Sequence, residues 1–218
     1  MVIFMKIGVL TRESISSLKA KTNGIPFAYL EIFNKEHFPI IIDSSMKLTE
    51  ENKQLLLEQI KDIDGYILPG GEKISEVDLF IIDYCYQNDI PLLGICLGMQ
   101  EIAYYFDNKT IKKLNTTKHF NLDENYVHPI KLKRNGYLNN LLKLNTLNVN
   151  SRHNYHIQNN KNYVIEAKCN KVIEAIKVKN TKYILGVQFH PEIMKEYDNN
   201  AIIILNDFLK QCLNKKSE

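Results

Sequence analysis

The stretch from Leu92 to Gln100 constrains the fold of this chain more than any other, because a short apolar run turns there directly into a helix-forming sequence. Two glycines, Gly94 and Gly98, flank Cys96 at the corner, where a Cβ would collide with the tight turn or with the incoming helix. A small nucleophilic residue between a strand and a helix is typical of a nucleophile elbow. The amide groups at the start of the helix would favour the thiolate form of Cys96. The stretch therefore predicts a buried strand, a helix packed against it and a reactive cysteine at the corner.

Short apolar runs alternate with helical patterns through the first half of the chain. This alternation is typical of a parallel sheet that is covered by helices on both faces. We therefore expect an α/β fold, a three-layer sandwich with a mostly parallel central sheet. Sites in such sheets lie beyond the carboxyl ends of the strands, where Pro69-Gly70-Gly71 and Cys96 would meet. The predicted strands are Lys6–Leu10, Pro39–Ile42, Gly65–Leu68 and Pro91–Gly94, and the predicted helices are Phe27–Glu36, Thr49–Lys61 and Val77–Gln87, with Ser14–Gly24 polar and irregular.

The second half of the chain carries weaker helical signals and ends in an amphipathic helix, Asn199–Leu213, whose buried side is predicted to include Ile202 and Ile203. Strand patterns precede that helix, and turns that contain asparagine separate them. No change of composition marks a linker, so we expect a single domain over residues 1–218. The predicted strands are Val164–Ala167, Val172–Val178 and Tyr183–Gln188, and the predicted turns are Asn135-Gly136, Asn139-Asn140, Asn170-Lys171 and Asn180-Thr181.

The composition argues against several classes of function. The net charge of +3 is small and dispersed, which disfavours nucleic acid as a partner. No apolar run reaches membrane-spanning length, and residues 1–5 are too short for a signal peptide, so we expect a cytoplasmic protein without a membrane partner. The four cysteines are scattered, and their spacing predicts neither a disulfide framework nor a zinc site.

The remaining histidines give no signal for a metal or cofactor. His119, His128 and His156 lie in a polar region without metal-ligand spacing, and we interpret them as surface or packing residues. The chain carries neither a phosphate-binding loop nor a dinucleotide fingerprint. We therefore expect no metal and no cofactor.

A second motif, Gly186–Glu192, supplies the groups that a catalytic thiol needs. His190 follows a predicted strand and would reach the same sheet edge as Cys96, where it can hold the thiolate and later protonate a leaving amine. Glu192 can accept a hydrogen bond from the far ring nitrogen and fix the tautomer. On composition alone, a buried core cysteine and a structural His-Pro-Glu sequence would be the commoner interpretations. Together, the two motifs predict a Cys-His-Glu triad.

Three segments, Leu68–Gly71, Gly94–Gln100 and Gly186–Glu192, together resemble the class I glutamine amidotransferase family, and the resemblance covers nearly the whole chain. It implies the flavodoxin-like fold of that family. It also implies cysteine-dependent hydrolysis of a γ-glutamyl amide through a γ-glutamyl thioester, with a small-molecule γ-glutamyl substrate and without a cofactor.

The resemblance assigns catalytic roles position by position. Cys96 would be the nucleophile, His190 the general base and acid, and Glu192 the residue that orients the imidazole. The backbone amides of Gly71 and Leu97 would form the oxyanion hole. This assignment fits the physical requirement for two amides at the developing charge, one in a tight glycine turn and one at a helix start.

Within the family, two branches compete. The segments Val149–His153, Thr11-Arg12 and Phe27–Leu30 resemble the γ-glutamyl hydrolase branch, peptidase C26, whose members act alone and release glutamate and an amine. That branch usually has an arginine after the nucleophile, whereas this chain has Leu97, as the glutaminase parts of biosynthetic amidotransferases do. The alternative is therefore a glutaminase subunit that delivers ammonia from glutamine to a partner synthase. The sequence leaves the oligomeric state open, a homodimer included.

Four residues are predicted to bind the substrate. The family resemblance places Gln100 against the glutamyl group, and the hydrolase branch would add Ser151 and His153 to the pocket lining. Arg152 has the charge and the fork geometry to pair with the substrate α-carboxylate, and a surface arginine is an equally good interpretation.

Overall fold

The structure is a computed structural model that describes residues 4–15 and 20–217. Within these residues, the helices are α1 (Phe27–Leu30), α2 (Glu50–Ile60), α3 (Glu76–Asn88), α4 (Leu97–Phe106), α5 (Tyr137–Leu142), α6 (Pro191–Met194) and α7 (Asn199–Lys216). The strands are β1 (Met5–Leu10), β2 (Arg12–Ile15), β3 (Lys21–Gly24), β4 (His37–Ile42), β5 (Gly65–Leu68), β6 (Leu92–Ile95), β7 (Ile111–Lys113), β8 (Phe120–Asn121), β9 (His128–Leu132), β10 (Thr146–Val149), β11 (Ser151–Arg152), β12 (Tyr155–Ile157), β13 (Tyr163–Cys169), β14 (Val172–Val178) and β15 (Ile184–Val187). No helix among them is long and apolar enough to cross a bilayer.

A central sheet, nine-stranded within the described residues, has the order β10-β9-β13-β14-β15-β6-β5-β1-β4. The strands β4, β1, β5, β6 and β15 are parallel neighbours, which requires crossover connections between them. From β15 outward, the pairing through β14, β13 and β9 to β10 is antiparallel. Because β13 and β10 point the same way as β15, most strands share one direction. The carboxyl ends of β5, β6 and β15 lie side by side, so the residues that follow them share one edge.

Helices cover both faces of this sheet. One face packs against α5 and α7 around Phe208, and the other packs against α2, α3 and α4 around Ile81. Successive residues of β5 serve the two layers in turn, since Ile67 belongs to the first core and Leu68 to the second. Strands that are buried on both sides must be apolar throughout, which explains the continuous apolar runs in the sequence. The predicted α/β three-layer sandwich is confirmed.

Several local predictions agree closely with the structure. The strands β5 and β14 have the predicted bounds. Thr49 precedes α2, and its side chain accepts a hydrogen bond from the Asn52 amide at 3.2 Å. Asn170 and Asn180 adopt positive φ values of 53° and 59° at the turns that flank β14. These features depend on short-range chemistry that a sequence displays directly.

Other local predictions were wrong. The helix expected over Phe27–Glu36 ends at Leu30, and Asn139-Asn140 lie inside α5 instead of in a turn. Ile202 and Ile203 are 38% and 40% exposed, because α7 turns other apolar residues toward the sheet. Within the segment Ser14–Gly24, the described residues contribute to an antiparallel hairpin of β2 and β3, and residues 16–19 lie outside the described part.

Candidate active site

Cys96 stands at a strained corner between β6 and α4. It has φ 54° and ψ −102°, a conformation that residues with a Cβ rarely adopt. A Cβ on Gly94 would lie 2.6 Å from the carbonyl carbon and oxygen of Gly98, and a Cβ on Gly98 would lie 2.3 Å from the Leu68 oxygen. The two glycines thus let α4 start directly on the sheet. The predicted elbow is present, and it places the sulfur at the N-terminal end of the helix, where Cys96 is 7% exposed.

His190 and Glu192 meet Cys96 at this edge. The His190 Nδ1 lies 2.7 Å from the Glu192 Oε1, and the two side chains are 12% and 2% exposed. A Cβ built on Gly70 would lie 2.8 Å from the His190 Cε1 and 3.5 Å from the Cys96 Cβ, so both side chains border the same small space. Burial by itself would lower the pKa of His190, but the charge of Glu192, together with the charge of and a hydrogen bond to Cys96, raises it to about 10. The arrangement favours an imidazolium beside the Cys96 sulfur.

The turn after β5 is held from one side by Tyr29. The Gly70 amide donates a hydrogen bond to the Tyr29 hydroxyl at 2.8 Å, and Tyr29 is 2% exposed. Burial, followed by the nearby charge of Glu192, raises the pKa of Tyr29 well above its usual value. Tyr29 therefore connects the turn to the residue that orients His190. The sequence places Tyr29 in a segment that resembles the hydrolase branch and predicts no role for it.

Arg12 holds the same turn from the other side. Its Nε and Nη2 donate to the Pro69 carbonyl at 3.0 and 2.8 Å. The guanidinium also pairs with Asp78, and with Glu101 at 2.9 Å, and all three side chains are nearly inaccessible to solvent. A Cβ on Gly71 would lie 2.8 Å from the Arg12 Cδ and 3.1 Å from the Leu97 Cδ2. The residues whose amides were predicted to form the oxyanion hole, Gly71 and Leu97, are thus neighbours.

The side chain of Asn150 makes two hydrogen bonds to the backbone of His190. Its Nδ2 donates to the His190 carbonyl at 3.1 Å, and its Oδ1 accepts from the His190 amide at 2.8 Å. Both hydrogen bonds fix the position of the imidazole through its main chain. The pattern Asn-Ser was visible in the sequence, but this pairing across forty residues was not.

The predicted substrate-binding residues divide into two groups. Gln100 is 5% exposed and donates to the Gln188 Oε1 at 3.1 Å, and Arg152 is partly exposed on β11. Ser151 is fully buried, and its Oγ donates to the His119 carbonyl at 2.6 Å. His153 is 3% exposed, and its contacts lie in a separate buried cluster. The roles of Gln100, Ser151, Arg152 and His153 in substrate binding remain predictions.

That separate cluster could hold a metal ion, and sequence reasoning missed it. It consists of His119, His128, His153 and Glu174, whose candidate ligand atoms all lie within 4.8 Å of one another. His119 and His128 are buried or nearly so, in agreement with a packing role, and the tertiary structure gives them a common arrangement that their spacing in the sequence does not predict. His156, the third histidine of that region, is not a member of the cluster.

Comparison with known proteins gives CTP synthases among the curated relatives. The enzyme from Clostridium kluyveri is 28% identical over 207 residues, which are 79% of this chain and 38% of that protein. The enzyme from Streptococcus agalactiae serotype III is 32% identical over 136 residues, which are 57% of this chain and 25% of that protein. The chain thus spans well under half the length of these relatives.

Solved structures show the same fold at low sequence identity. The CTPS glutaminase domain of Trypanosoma brucei with bound acivicin has a TM-score of 0.72 at 17% identity, with 96% of this chain and 94% of that chain covered. A glutamine amidotransferase from Thermotoga maritima has a TM-score of 0.61 at 13% identity, with 97% of each chain covered. In addition, residues 38–211 match the sequence profile described as Glutamine amidotransferase class-I. The chain belongs to the class I glutamine amidotransferase family.

Proposed function

We propose that this chain is a glutaminase that hydrolyses the side-chain amide of glutamine and delivers the ammonia to a partner synthase. The observation that carries the proposal is the convergence of the Cys96 elbow, His190 and Glu192 at one sheet edge, with 2.7 Å between the His190 Nδ1 and the Glu192 Oε1. The relatives named as CTP synthases, together with the CTPS glutaminase domain, favour ammonia delivery over independent hydrolysis.

The geometry supports the following steps. The Cys96 sulfur attacks the γ-carbonyl carbon, and the amides of Gly71 and Leu97 stabilise the negative oxygen. The imidazolium of His190 then gives its proton to the amide nitrogen, the C–N bond breaks, and ammonia leaves a γ-glutamyl thioester. His190, now neutral, removes a proton from water, which attacks the thioester and releases glutamate and the Cys96 thiol. Throughout, Glu192 accepts a hydrogen bond from the other imidazole nitrogen and keeps the ring oriented.

A free-standing γ-glutamyl amide hydrolase is the second candidate, and one observation favours it. Asn150 belongs to the segment that resembles the hydrolase branch, and it contacts the backbone of His190 on both sides. For this second candidate function the chemical steps are the same, and the leaving group is a larger amine instead of ammonia.

A substrate panel separates the two candidates. The purified full chain is incubated with glutamine and with a series of γ-glutamyl amines, and glutamate release is measured for each. The glutaminase proposal predicts that glutamine has the highest kcat/KM and that substituted amines react more slowly. A substituted γ-glutamyl amine that reacts faster than glutamine would favour the hydrolase. Absence of glutamate release from every substrate, with Cys96→Ala indistinguishable from the wild type, would refute both.

A further inference from the structure

A buried cluster of three histidines and one glutamate shares no residue with the triad. His119 precedes β8, His128 begins β9, His153 follows β11, and Glu174 lies on β14. The Glu174 Oε1 is 3.2 Å from the His119 Nδ1, 3.8 Å from the His128 Nε2 and 3.7 Å from the His153 Nε2. Four different elements thus direct one ligand atom each toward a common centre.

The polar atoms of this cluster lie near one another but mostly outside good hydrogen-bond geometry. Among the described residues, the buried atoms without a hydrogen-bond partner include the His119 Nδ1, the His128 Nε2, the His153 Nε2 and both carboxylate oxygens of Glu174. Each unsatisfied buried polar group costs about 1–3 kcal/mol. A cluster of such atoms in a native core therefore calls for a ligand that accepts their lone pairs.

The separations are compatible with a tetrahedral ion after a small contraction of the cluster. Ligands at about 2.0–2.1 Å from a central zinc ion lie about 3.3 Å from one another, whereas the three distances from Glu174 are 3.2–3.8 Å and all four candidate ligand atoms lie within 4.8 Å. The tautomer of His153 is also suitable, because its Nδ1 lies 2.9 Å from the Tyr155 carbonyl. That hydrogen bond uses the Nδ1 proton and leaves the lone pair of Nε2 directed at the cluster, as in many zinc sites.

We propose that His119, His128, His153 and Glu174 bind one divalent transition-metal ion, with zinc preferred. Three imidazoles and one carboxylate suit zinc, and four protein ligands close the coordination sphere, so the site is structural. A cleft of about 990 Å³ is lined in part by His119 and His128, so it lies directly beside the cluster.

The ion would stiffen the segment that carries the catalytic histidine. The Glu174 carbonyl accepts a hydrogen bond from the Gln188 amide at 2.8 Å, two residues before His190. On the other side, the His119 carbonyl accepts from Ser151, whose neighbour Asn150 brackets the His190 backbone. The ion would thus link β14, which is hydrogen-bonded to the Gln188 amide, with the segment around Ser151, whose neighbour Asn150 hydrogen-bonds to the His190 backbone.

Metal content tests this site directly. The full chain, produced without a histidine tag and purified without chelators, is analysed by elemental mass spectrometry, and about one zinc ion per chain is expected. Replacing that ion by Co²⁺ should give the intense visible absorption of a tetrahedral site. Removal of the metal with a chelator should lower the thermal midpoint, and Zn²⁺ should restore it.

Variants identify the ligands. His128→Gln and Glu174→Gln should each lower zinc affinity at least about tenfold, since even second-shell changes cost that much. His37→Gln, at the opposite edge of the sheet, is the matched control and should keep the ion. Cys96→Ala should keep it too, which separates this site from the catalytic thiol. The proposal is overturned if the wild type binds no Zn²⁺ or Co²⁺, if both ligand variants bind zinc as tightly as the wild type, or if Cys96→Ala alone loses the ion.

Discussion

Replacing Gly98 by alanine would insert a methyl group into the contact between α4 and β5. The new Cβ would lie 2.3 Å from the Leu68 oxygen and 2.6 Å from the Leu68 Cβ, whereas real contacts of this kind are essentially never under 3.0 Å. The closest atom belongs to the backbone of a central strand, so the helix itself must move. Helix propensity alone would predict a gain of up to about 1 kcal/mol for this substitution. The steric clash should therefore lower the stability of the fold, whereas the higher helix propensity of alanine should raise it.

Overpacking of a dense core costs about 1–3 kcal/mol or more, and a backbone obstacle places Gly98→Ala at the upper end. After the propensity gain is subtracted, we expect a net loss of about 2 kcal/mol, or a fall of about 4–8 °C in Tm for a chain of this size. Because α4 carries Cys96 and the Leu97 amide, the displacement should also lower the kcat/KM for glutamate release by at least about tenfold.

The matched control is Gly24→Ala, since a Cβ at Gly24 would meet nothing within 4 Å. That substitution should leave activity unchanged and alter stability by no more than about 1 kcal/mol, in the stabilising direction. Urea unfolding and glutamate release are measured for both variants and the wild type. If Gly98→Ala proved as stable as Gly24→Ala, with full activity, the reasoning about close packing at the elbow would be refuted.

Three further predictions follow from buried charges. Arg12→Met leaves the carboxylates of Asp78 and Glu101 without their partner, so the free energy of unfolding, measured in urea, should fall by about 3–5 kcal/mol. Adding Asp78→Asn and Glu101→Gln to this variant should recover most of the loss. If stability does not recover, the ion-pair account is contradicted. Glu192→Gln removes the first of the charges that raise the pKa of His190, so an NMR titration of that ring should show a pKa below about 10, and an unchanged pKa would count against the assigned partner. Since the pKa of His190 in the folded chain lies above its ordinary value of 6.5, its stabilising contribution is complete below pH 6.5 and is lost as the pH rises through about 10. The unfolding free energy of the wild type should therefore fall more over this window than that of Glu192→Gln, and equal slopes would argue against the raised pKa.

The elbow and the layered sheet could be predicted because their causes lie close together in the chain. Gly94, Cys96 and Gly98 occupy one short stretch, and the contact that requires glycine at position 94 is with Gly98 itself, although the contact at Gly98 is with Leu68 on the neighbouring strand β5. Strands buried on both faces likewise reveal themselves as continuous apolar runs. Local chemistry of this kind is readable without knowledge of tertiary contacts.

The supports of the site depend on contacts that the sequence does not display. Arg12 reaches a carbonyl 57 positions away, and Asn150 pairs with a backbone 40 positions away. The metal-ligand cluster has the same origin, because Glu174 lies 55 positions beyond His119 and only the fold of the intervening strands brings them together. His153 illustrates the consequence: its segment predicts a role in the substrate pocket, which stays a prediction, and does not reveal that its Nε2 lies 3.7 Å from the Glu174 Oε1.

Selective alkylation by a diazoketone analogue of glutamine tests most directly whether Cys96 is the nucleophile of a glutamine site. Burial raises the pKa of Cys85 and Cys212 well above the usual value and also raises that of Cys169, the more accessible of these three thiols. We predict a single adduct on Cys96 in peptide mass spectrometry, protection by glutamine, and no adduct in Cys96→Ala. Modification that favours Cys169, or that glutamine does not slow, would contradict the account.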